Sequence, residues 1–138
     1  MIVLDTNVLS ELIRPAPDPH VLAWMEAQPA DALFTTAITR CEMLFGARIL
    51  PPGRRRDGLL AEIAAIFSTD MAGRVLAYDE AAADAHVEIS VQRRAQGRPV
   101  SPSDMMIAGI VRSLEATLAT RNVRDFEGCG ITLVDPWH

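Results

Sequence analysis

The sequence predicts an α/β fold in which short parallel strands alternate with helices. Residues 2–4 form an apolar run rich in β-branched side chains, typical of a strand buried on both faces of a parallel sheet. Apolar residues at helical spacing follow it: Val8, Leu9, Leu12 and Ile13. A second apolar run, at residues 75–78, also ends at an acid, Asp79, and also precedes a helical pattern. This order of strand, acid and helix is the pattern of an α/β sheet.

The first half of the chain supplies two further helices and one further strand. Asp18 followed by Pro19 predicts a helix start, and that helix covers residues 20–28. Residues 33–36 form a short β-like run. Proline and glycine at residues 51–53 end the helix that follows this strand.

The start of the third helix has an explanation that needs no function. Thr39 with Glu42 three residues later matches a capping box, in which the two side chains satisfy the first backbone amides of a helix. The next stretch, residues 54–56, is three consecutive arginines that would lie on the loop after this helix. Glu42 could therefore be a capping residue, a functional residue or both.

The second half of the chain continues the alternation. Predicted helices cover residues 59–67 and 80–96 and begin again at Ser101, where Ser, Pro and an early acid form a helix start. Gly97 is placed to end the second of these helices. The last two predicted strands are residues 117–120 and 132–134.

Size and composition predict one domain over residues 1–138. A chain of 138 residues with 49% hydrophobic residues can bury one aliphatic core. No apolar stretch approaches the roughly 20 residues of a membrane span, and an acid at position 5 without a basic segment before it does not fit a signal peptide. Two cysteines, Cys41 and Cys129, with three histidines give no zinc spacing and fit a reducing cytoplasm.

The charge pattern leaves nucleic-acid binding open. A net charge of −5 argues against a phosphate-rich partner. All 13 basic residues are arginines, however, and they cluster at residues 54–56, 93–98 and 121–124. Arginine is the better bidentate phosphate ligand, although an all-arginine chain can also reflect genomic base composition.

The acidic and amide residues share a position relative to the predicted strands. Asp5 follows a strand, Glu42 lies near the start of the next helix, Asp104 opens a helix, and Asn122 and Asp125 follow a strand. Each could merely cap a helix. If the strands are parallel, however, all of them reach the carboxyl edge of the sheet, near the point where strand order reverses and where ligands bind.

Several carboxylates in one pocket need a compensating charge. Two like charges at 4 Å repel by about 4 kcal/mol at an effective dielectric of 20, whereas a helix N-terminus offsets only about 0.3–1 kcal/mol. A bound cation or raised pKa values must therefore supply the difference. Oxygen ligands without Cys or His suit a hard cation, so the sequence predicts a site for Mg²⁺ or Mn²⁺.

These residues resemble the PIN-domain ribonucleases, in particular the VapC-type toxins of bacterial toxin–antitoxin pairs and their FitB-like members. The matching segments run along nearly the whole chain and are Leu4-Asp5-Thr6-Asn7-Val8, Ala37-Ile38-Thr39 with Glu42 and Gly46, Ser103-Asp104 with Ile107-Ala108, Thr120-Arg121-Asn122 with Asp125-Phe126, and Pro136-Trp137. The resemblance implies a three-layer α/β/α domain with a central parallel sheet flanked by helices.

The resemblance also implies a function for the site. Asp5, Glu42 and Asp104 match the family's core acids and would hold one or two Mg²⁺ or Mn²⁺ ions, which activate a water for cleavage of an RNA phosphodiester and stabilise the leaving oxygen. Many PIN domains have Asp where this chain has Asn122, and Asp125 lies three residues later. Asn122 and Asp125 would support a second ion or the substrate.

Partners follow from the same resemblance. A cognate antitoxin, which also binds operator DNA, would lay an apolar helix in a groove and direct a basic side chain at the acids. A homodimer packed through helices is expected as well. A neighbouring gene for a small DNA-binding protein would be the most informative observation.

Two other functions compete with the ribonuclease hypothesis. A receiver domain also gathers acids around Mg²⁺ at strand ends, but it needs a phosphate-binding lysine, and this chain has no lysine. A degenerate PIN domain would bind RNA or a protein partner without cleaving. Nuclease activity that depends on a metal ion separates the enzyme from the degenerate form.

Overall fold

A five-stranded parallel sheet forms the centre of the computed structural model, which describes residues 1–98 and 101–138. The strands are β1 Ile2–Leu4, β2 Leu33–Thr36, β3 Val75–Leu76, β4 Thr117–Ala119 and β5 Thr132–Val134. They lie in the order β3-β2-β1-β4-β5, and every neighbouring pair is parallel. The predicted α/β fold with a central parallel sheet is confirmed.

Helices follow most strands along the chain. They are α1 Thr6–Leu12, α2 Pro19–Glu26, α3 Ala37–Arg48, α4 Arg54–Ala65, α5 Glu80–Ala95, α6 Pro102–Ser113 and the single turn α7 Val123–Phe126. A 3₁₀ turn at Ala30–Ala32 precedes β2, and a π-helical turn at Ile66–Asp70 continues α4. In the described part of the chain, none of these helices has the length and apolar character that crossing a membrane requires.

The sheet separates two hydrophobic clusters, one on each face. Val3 and Leu4 are fully buried and point to opposite faces, as neighbours in a strand do. Leu4 packs with the cluster formed by α1, α2, α3 and α4, whereas Val3 packs with the cluster formed by α5, α6 and α7. The two clusters give the three layers, helix, sheet and helix, that the family resemblance implies.

Strand order reverses beside β1. The chain first builds outward through β2 to β3 and then returns to place β4 on the other side of β1. Asp5 follows β1 and its backbone amide donates to the carbonyl of Ala119, 2.9 Å away, at the end of β4. The crevice at this switch point lies outside the carboxyl ends of β1 and β4, as expected for ligand sites in open α/β sheets.

Close packing of α5 against α6 depends on Gly109. A Cβ atom added at Gly109 would lie 2.5 Å from the carbonyl oxygen of Ala82 and 3.0 Å from the Cβ of His86. Only glycine permits this backbone approach, and α6 carries Asp104 in its first turn. The helix that carries Asp104 is therefore packed directly on the backbone of α5.

The predicted capping box at Thr39 is wrong. Helix α3 begins at Ala37, two residues earlier, because Thr36 leaves β2 in an extended conformation and accepts the amide of Thr39 on its own hydroxyl, at 3.1 Å. Glu42 thus lies in the second turn, where no free backbone amide needs a cap. Glu42 therefore does not cap this helix.

Two further boundaries differ from the sequence prediction. Arg54 begins α4, so the three arginines predicted on a loop form the first turn of a helix. Strand β3 ends at Leu76, before the predicted residue 78. Gly97 does follow the end of α5, and its φ of +66° is the left-handed conformation that favours glycine at this position.

Candidate active site

Asp5 is the most buried acid of the site, with only 4% of its surface exposed. One carboxylate oxygen accepts the amide of Thr6 at 2.8 Å, and the other accepts the hydroxyl of Thr120 at 2.8 Å and the amide side chain of Asn7 at 3.4 Å. Each oxygen is therefore oriented by the strand ends of β1 and β4.

Burial raises the pKa of Asp5 to about 6. The hydrogen bonds from Thr120 and Thr6 lower it, and the negative charges of Asp104 and Glu42 raise it again. Asp104 and Glu42 thus lie close enough to Asp5 for their charges to act on it. A buried carboxylate facing two other acids is stabilised by any cation placed between them.

Glu42 is tied to Asp5's own helix by a chain of hydroxyls. The hydroxyl of Thr6 donates to a carboxylate oxygen of Glu42 at 2.9 Å and lies 3.1 Å from the hydroxyl of Thr39. Thr39 in turn contacts Thr36, the cap of α3. The three threonines hold the first turns of α1 and α3 together and hold Glu42 toward the pocket. The sequence pattern indicated only a strand end at Thr36 and a cap at Thr39, so it gave neither threonine a role at the site.

Asp104 and Asp125 form the other side of the site. Half burial raises the pKa of Asp104, a hydrogen bond with Ser101 lowers it, and the negative charge of Asp125 raises it again. Asp104 therefore lies within electrostatic reach of Asp125 as well as of Asp5. The four acids named from the sequence form a linked series of charges at one edge of the sheet.

Asn122 lies at the end of β4 as predicted, and its backbone amide donates to the hydroxyl of Thr120 at 3.0 Å. The side-chain oxygen of Asn7 accepts the backbone amide of the preceding residue, Arg121, at 3.2 Å. The guanidinium of Arg121 lies over the ring of Trp137, 5.0 Å from its centre. The bond to Asn7 joins the segment after β4 to the start of α1, and Asn122 is exposed within that segment.

The donor set fits a hard divalent cation, although the acids are not gathered into a closed cage. Among residues 1–98 and 101–138, no three His, Cys, Asp or Glu side chains form a group that could hold a metal ion directly. We expected the carboxylate oxygens of the three core acids to lie close enough to share one ion. The side chains do not show this arrangement. Glu42 instead accepts a hydrogen bond from the hydroxyl of Thr6. Mg²⁺ commonly binds through one or two carboxylates and keeps several waters, and Asp5 with Asp104 can supply that pair.

A groove of about 610 Å³ leads away from Glu42 between α1, α3 and α4. Thr6 and Glu42 line one part of it, and Arg54 and Arg55 line another. Two arginines of the first cluster, Arg54 and Arg55, therefore line the same groove as Glu42. Gly46 forms part of the wall, and a Cβ added there would meet no atom within 4 Å.

Residues 2–128 match the PIN domain family. The chain belongs to the PIN domain family. The sequence resemblance is thereby confirmed, and the receiver-domain alternative is excluded.

Relatives and solved structures agree with this assignment. This PIN domain is 36% identical to the VapC ribonuclease Y4jK of Sinorhizobium fredii over 99% of this chain and 98% of the relative. It is 31% identical to the toxin FitB of Neisseria gonorrhoeae over 100% and 99% of the two chains. A structure of FitAB bound to an IR36 DNA fragment superposes with a TM-score of 0.93 at 32% identity, covering 100% of this chain and 96% of that one.

Proposed function

We propose that this PIN domain protein is a metal-dependent endoribonuclease that hydrolyses RNA phosphodiester bonds and acts as the toxin of a toxin–antitoxin pair. The observation that carries the proposal is the set of acids at the switch point, where Asp5 is buried within reach of the charges of Asp104 and Glu42. Support comes from the relatives, which are named as a VapC ribonuclease and a toxin. Residues 1–138 would form one PIN domain, working in the cytoplasm.

Each acid of the site and each threonine bound to it has a separate proposed role. Asp5 and Asp104 would be the principal ligands of Mg²⁺ or Mn²⁺, with Glu42 as a third ligand or as the group that orients the attacking water. The ion, when bound, would activate that water and stabilise the leaving oxygen. Thr6 holds Glu42, and Thr120 holds Asp5, in place through hydrogen bonds.

The remaining site residues would serve the substrate. Asn122 and Asp125 would support a second ion or contact the RNA. Arg54 and Arg55 line the groove that opens beside Glu42, and there they would bind phosphates next to the acids despite the net charge of −5.

Removal of metal distinguishes the enzyme from a degenerate PIN domain that only binds. We expect cleavage of RNA by the purified protein to stop after chelation and to return on addition of Mn²⁺ or Mg²⁺, because the carboxylates alone cannot lower the pKa of a water. The measurement is a gel assay of a labelled RNA, with binding to the same RNA followed in parallel. Binding that persists without any cleavage at every metal concentration would favour the degenerate form.

A cognate antitoxin that also binds operator DNA completes the proposal. The superposed structure of FitAB with DNA supports a partner of this kind. We expect an apolar helix of the antitoxin to enter the groove between α1, α3 and α4 and to direct an arginine at Asp5, Glu42 and Asp104. Such an arginine would supply the charge of the metal and exclude RNA at the same time.

Gly46 provides a test of groove occupancy. Gly46→Phe should weaken binding of the adjacent gene's product by more than about tenfold, because a ring at this position fills the groove. Gly46→Ala is the matched control, since it leaves the groove open and, in a helix interior, adds about 1 kcal/mol of stability. Isothermal titration of both variants decides the matter, and equal affinities would show that the antitoxin binds elsewhere.

A homodimer packed through helices also belongs to the proposal. Phe45 and Ile49 on α3 are 65% exposed, and Val87 and Val91 on α5 are 61% and 63% exposed. The apolar faces are therefore not all used by the core of one chain. Light scattering of the isolated protein should give twice the mass of 15.1 kDa. A monomer at all concentrations would contradict the dimer.

A further inference from the structure

Arg93 is a buried cation whose partner groups are backbone and sulfur atoms. It lies in α5 with 4% of its surface exposed. One terminal nitrogen, Nη2, donates to the carbonyl oxygens of Asp125, at 2.8 Å, and Glu127, at 2.5 Å, and lies 3.3 Å from the sulfur of Cys129. Within the described residues no carboxylate pairs with this guanidinium, and its Nε has no hydrogen-bond partner.

The burial of Arg93 does not by itself stabilise the folded protein. A buried charge is unfavourable unless a counter-charge or hydrogen bonds compensate for the water it has lost. The carbonyls that Arg93 binds explain its presence, because they lie at the end of α7, a helix of only four residues. A single turn does not hold its own shape, and its last carbonyls have no partners inside the helix. Arg93 supplies those partners from a neighbouring helix.

The turn held by Arg93 carries a residue of the site. Asp125 lies in α7, and its charge acts on Asp104 at the start of α6. Phe126, the next residue, is 1% exposed and packs in the cluster beneath. Two contacts therefore hold this backbone in place. The side chain of Phe126 is buried in the hydrophobic cluster, and the guanidinium of Arg93 binds the carbonyls of the residues on either side of it.

We propose that Arg93 is a positioning residue, which fixes the segment from Asn122 to Cys129 and thereby sets Asp125 beside Asp104 in the pocket. This inference rests on the proposed ribonuclease function for its catalytic consequence, whereas its structural part can be measured without activity. The sequence held a signal for it, because Arg93 continues the buried stripe of Ala82 and Ile89 on α5.

The kinetic test compares Arg93→Met with Arg94→Met, which changes the exposed neighbour on the same helix. We expect Arg93→Met to lower kcat by about 10–100-fold, the usual loss when a supporting partner of a site is removed, with KM for RNA nearly unchanged. Arg93→Lys should recover part of the loss. In Asp125→Ala, the further change Arg93→Met should cost much less than it does in the wild-type protein, because the main group that Arg93 positions is already absent. Equal kcat for Arg93→Met and Arg94→Met, or losses that multiply in the double variant, would overturn the inference.

Hydrogen exchange separates this inference from the proposed function. The amides of Asp125 and Cys129 donate to the carbonyls of Asn122 and Phe126 within the held segment. They should exchange faster in Arg93→Met than in Arg94→Met, while the amides of α6 keep their protection. If the wild-type protein cleaves no RNA, this local change still supports positioning by Arg93, and unchanged exchange refutes it. Arg93→Lys is measured in the same way, with the same two outcomes, should Arg93→Met not fold.

Discussion

Asp5→Asn should abolish RNA cleavage and, without metal, make the protein more stable at pH 7.5. Loss of a supporting partner of a metal ligand already costs about 10–100-fold, so loss of the ligand should cost more than about 100-fold. The stability gain has a different origin, because the pKa of Asp5 rises from 3.8 to about 6 on folding, which corresponds to about 3 kcal/mol of strain in the charged form. Replacing the charged carboxylate by a neutral amide removes part of this unfavourable free energy, and Tm should rise by roughly 5 °C.

The pH dependence of this gain follows from the sign of the shift. Between about pH 4 and pH 6 the folded protein holds a proton on Asp5 that the unfolded chain has lost, so the free energy of unfolding falls as pH rises through this window. The contribution of Asp5 is complete below about pH 4 and lost above about pH 6. Asn does not titrate, so the difference in Tm should be small at pH 4 and largest above pH 6.

Asp79→Asn is the matched control. Asp79 also follows a strand and caps a helix, by accepting the amide of Ala82 at 2.9 Å, but its side chain is exposed and its residue lies outside the acid series. Asparagine caps as well as aspartate, so both cleavage and Tm should stay near wild type. An Asp5→Asn protein that cleaves RNA normally would remove Asp5 from the mechanism.

Mg²⁺ or Mn²⁺ should raise the Tm of the wild-type protein at pH 7.5, and Asp104→Asn should remove most of that rise. A ligand that binds only the folded state adds about 2.7 kcal/mol at 100 times its Kd. Differential scanning fluorimetry over a metal titration measures the effect. Sodium chloride at equal ionic strength controls for screening of the net charge of −5.

Asp84→Asn controls for the loss of one acid, since Asp84 is exposed on α5. It should keep the full metal response. Because protons compete for Asp5, the response of the wild-type protein should weaken below about pH 6. A Tm that ignores metal at every concentration short of precipitation would mean that the pocket does not bind an ion.

The sheet and the position of its acids could be predicted because each depends on local sequence. The apolar run that ends at Asp5 coincides with β1, and parallel strands bring their carboxyl ends to one edge whatever the details of packing. The start of α3 could not be predicted, since Thr36 and Thr39 are equally good caps. Only the extended backbone that Thr36 inherits from β2 decides between them.

Other features depend on contacts that a sequence does not display. Three arginines after Pro51 and Pro52 suggested a loop, but arginine is a good helix former and Gly53 permits an immediate helix start. The hydrogen bond from Thr6 to Glu42 joins residues 36 positions apart, so no local pattern displays it. Arg93 lies among apolar residues of α5, and its role becomes visible only when α7 is placed beside it.

The central place of β1 governs when activity can arise as the protein is made. Asp5 and Thr120 are hydrogen-bonded across 115 residues of sequence, and Asn7 binds the amide of Arg121 across 114. Contacts between such distant positions close late in folding, because a long loop must be ordered first. A nascent chain on the ribosome holds Asp5 from the start, but Asp5 lacks its hydrogen bond from Thr120 until β4 has paired with β1. Nuclease activity should therefore appear only after nearly the whole domain has been translated and β4 has docked.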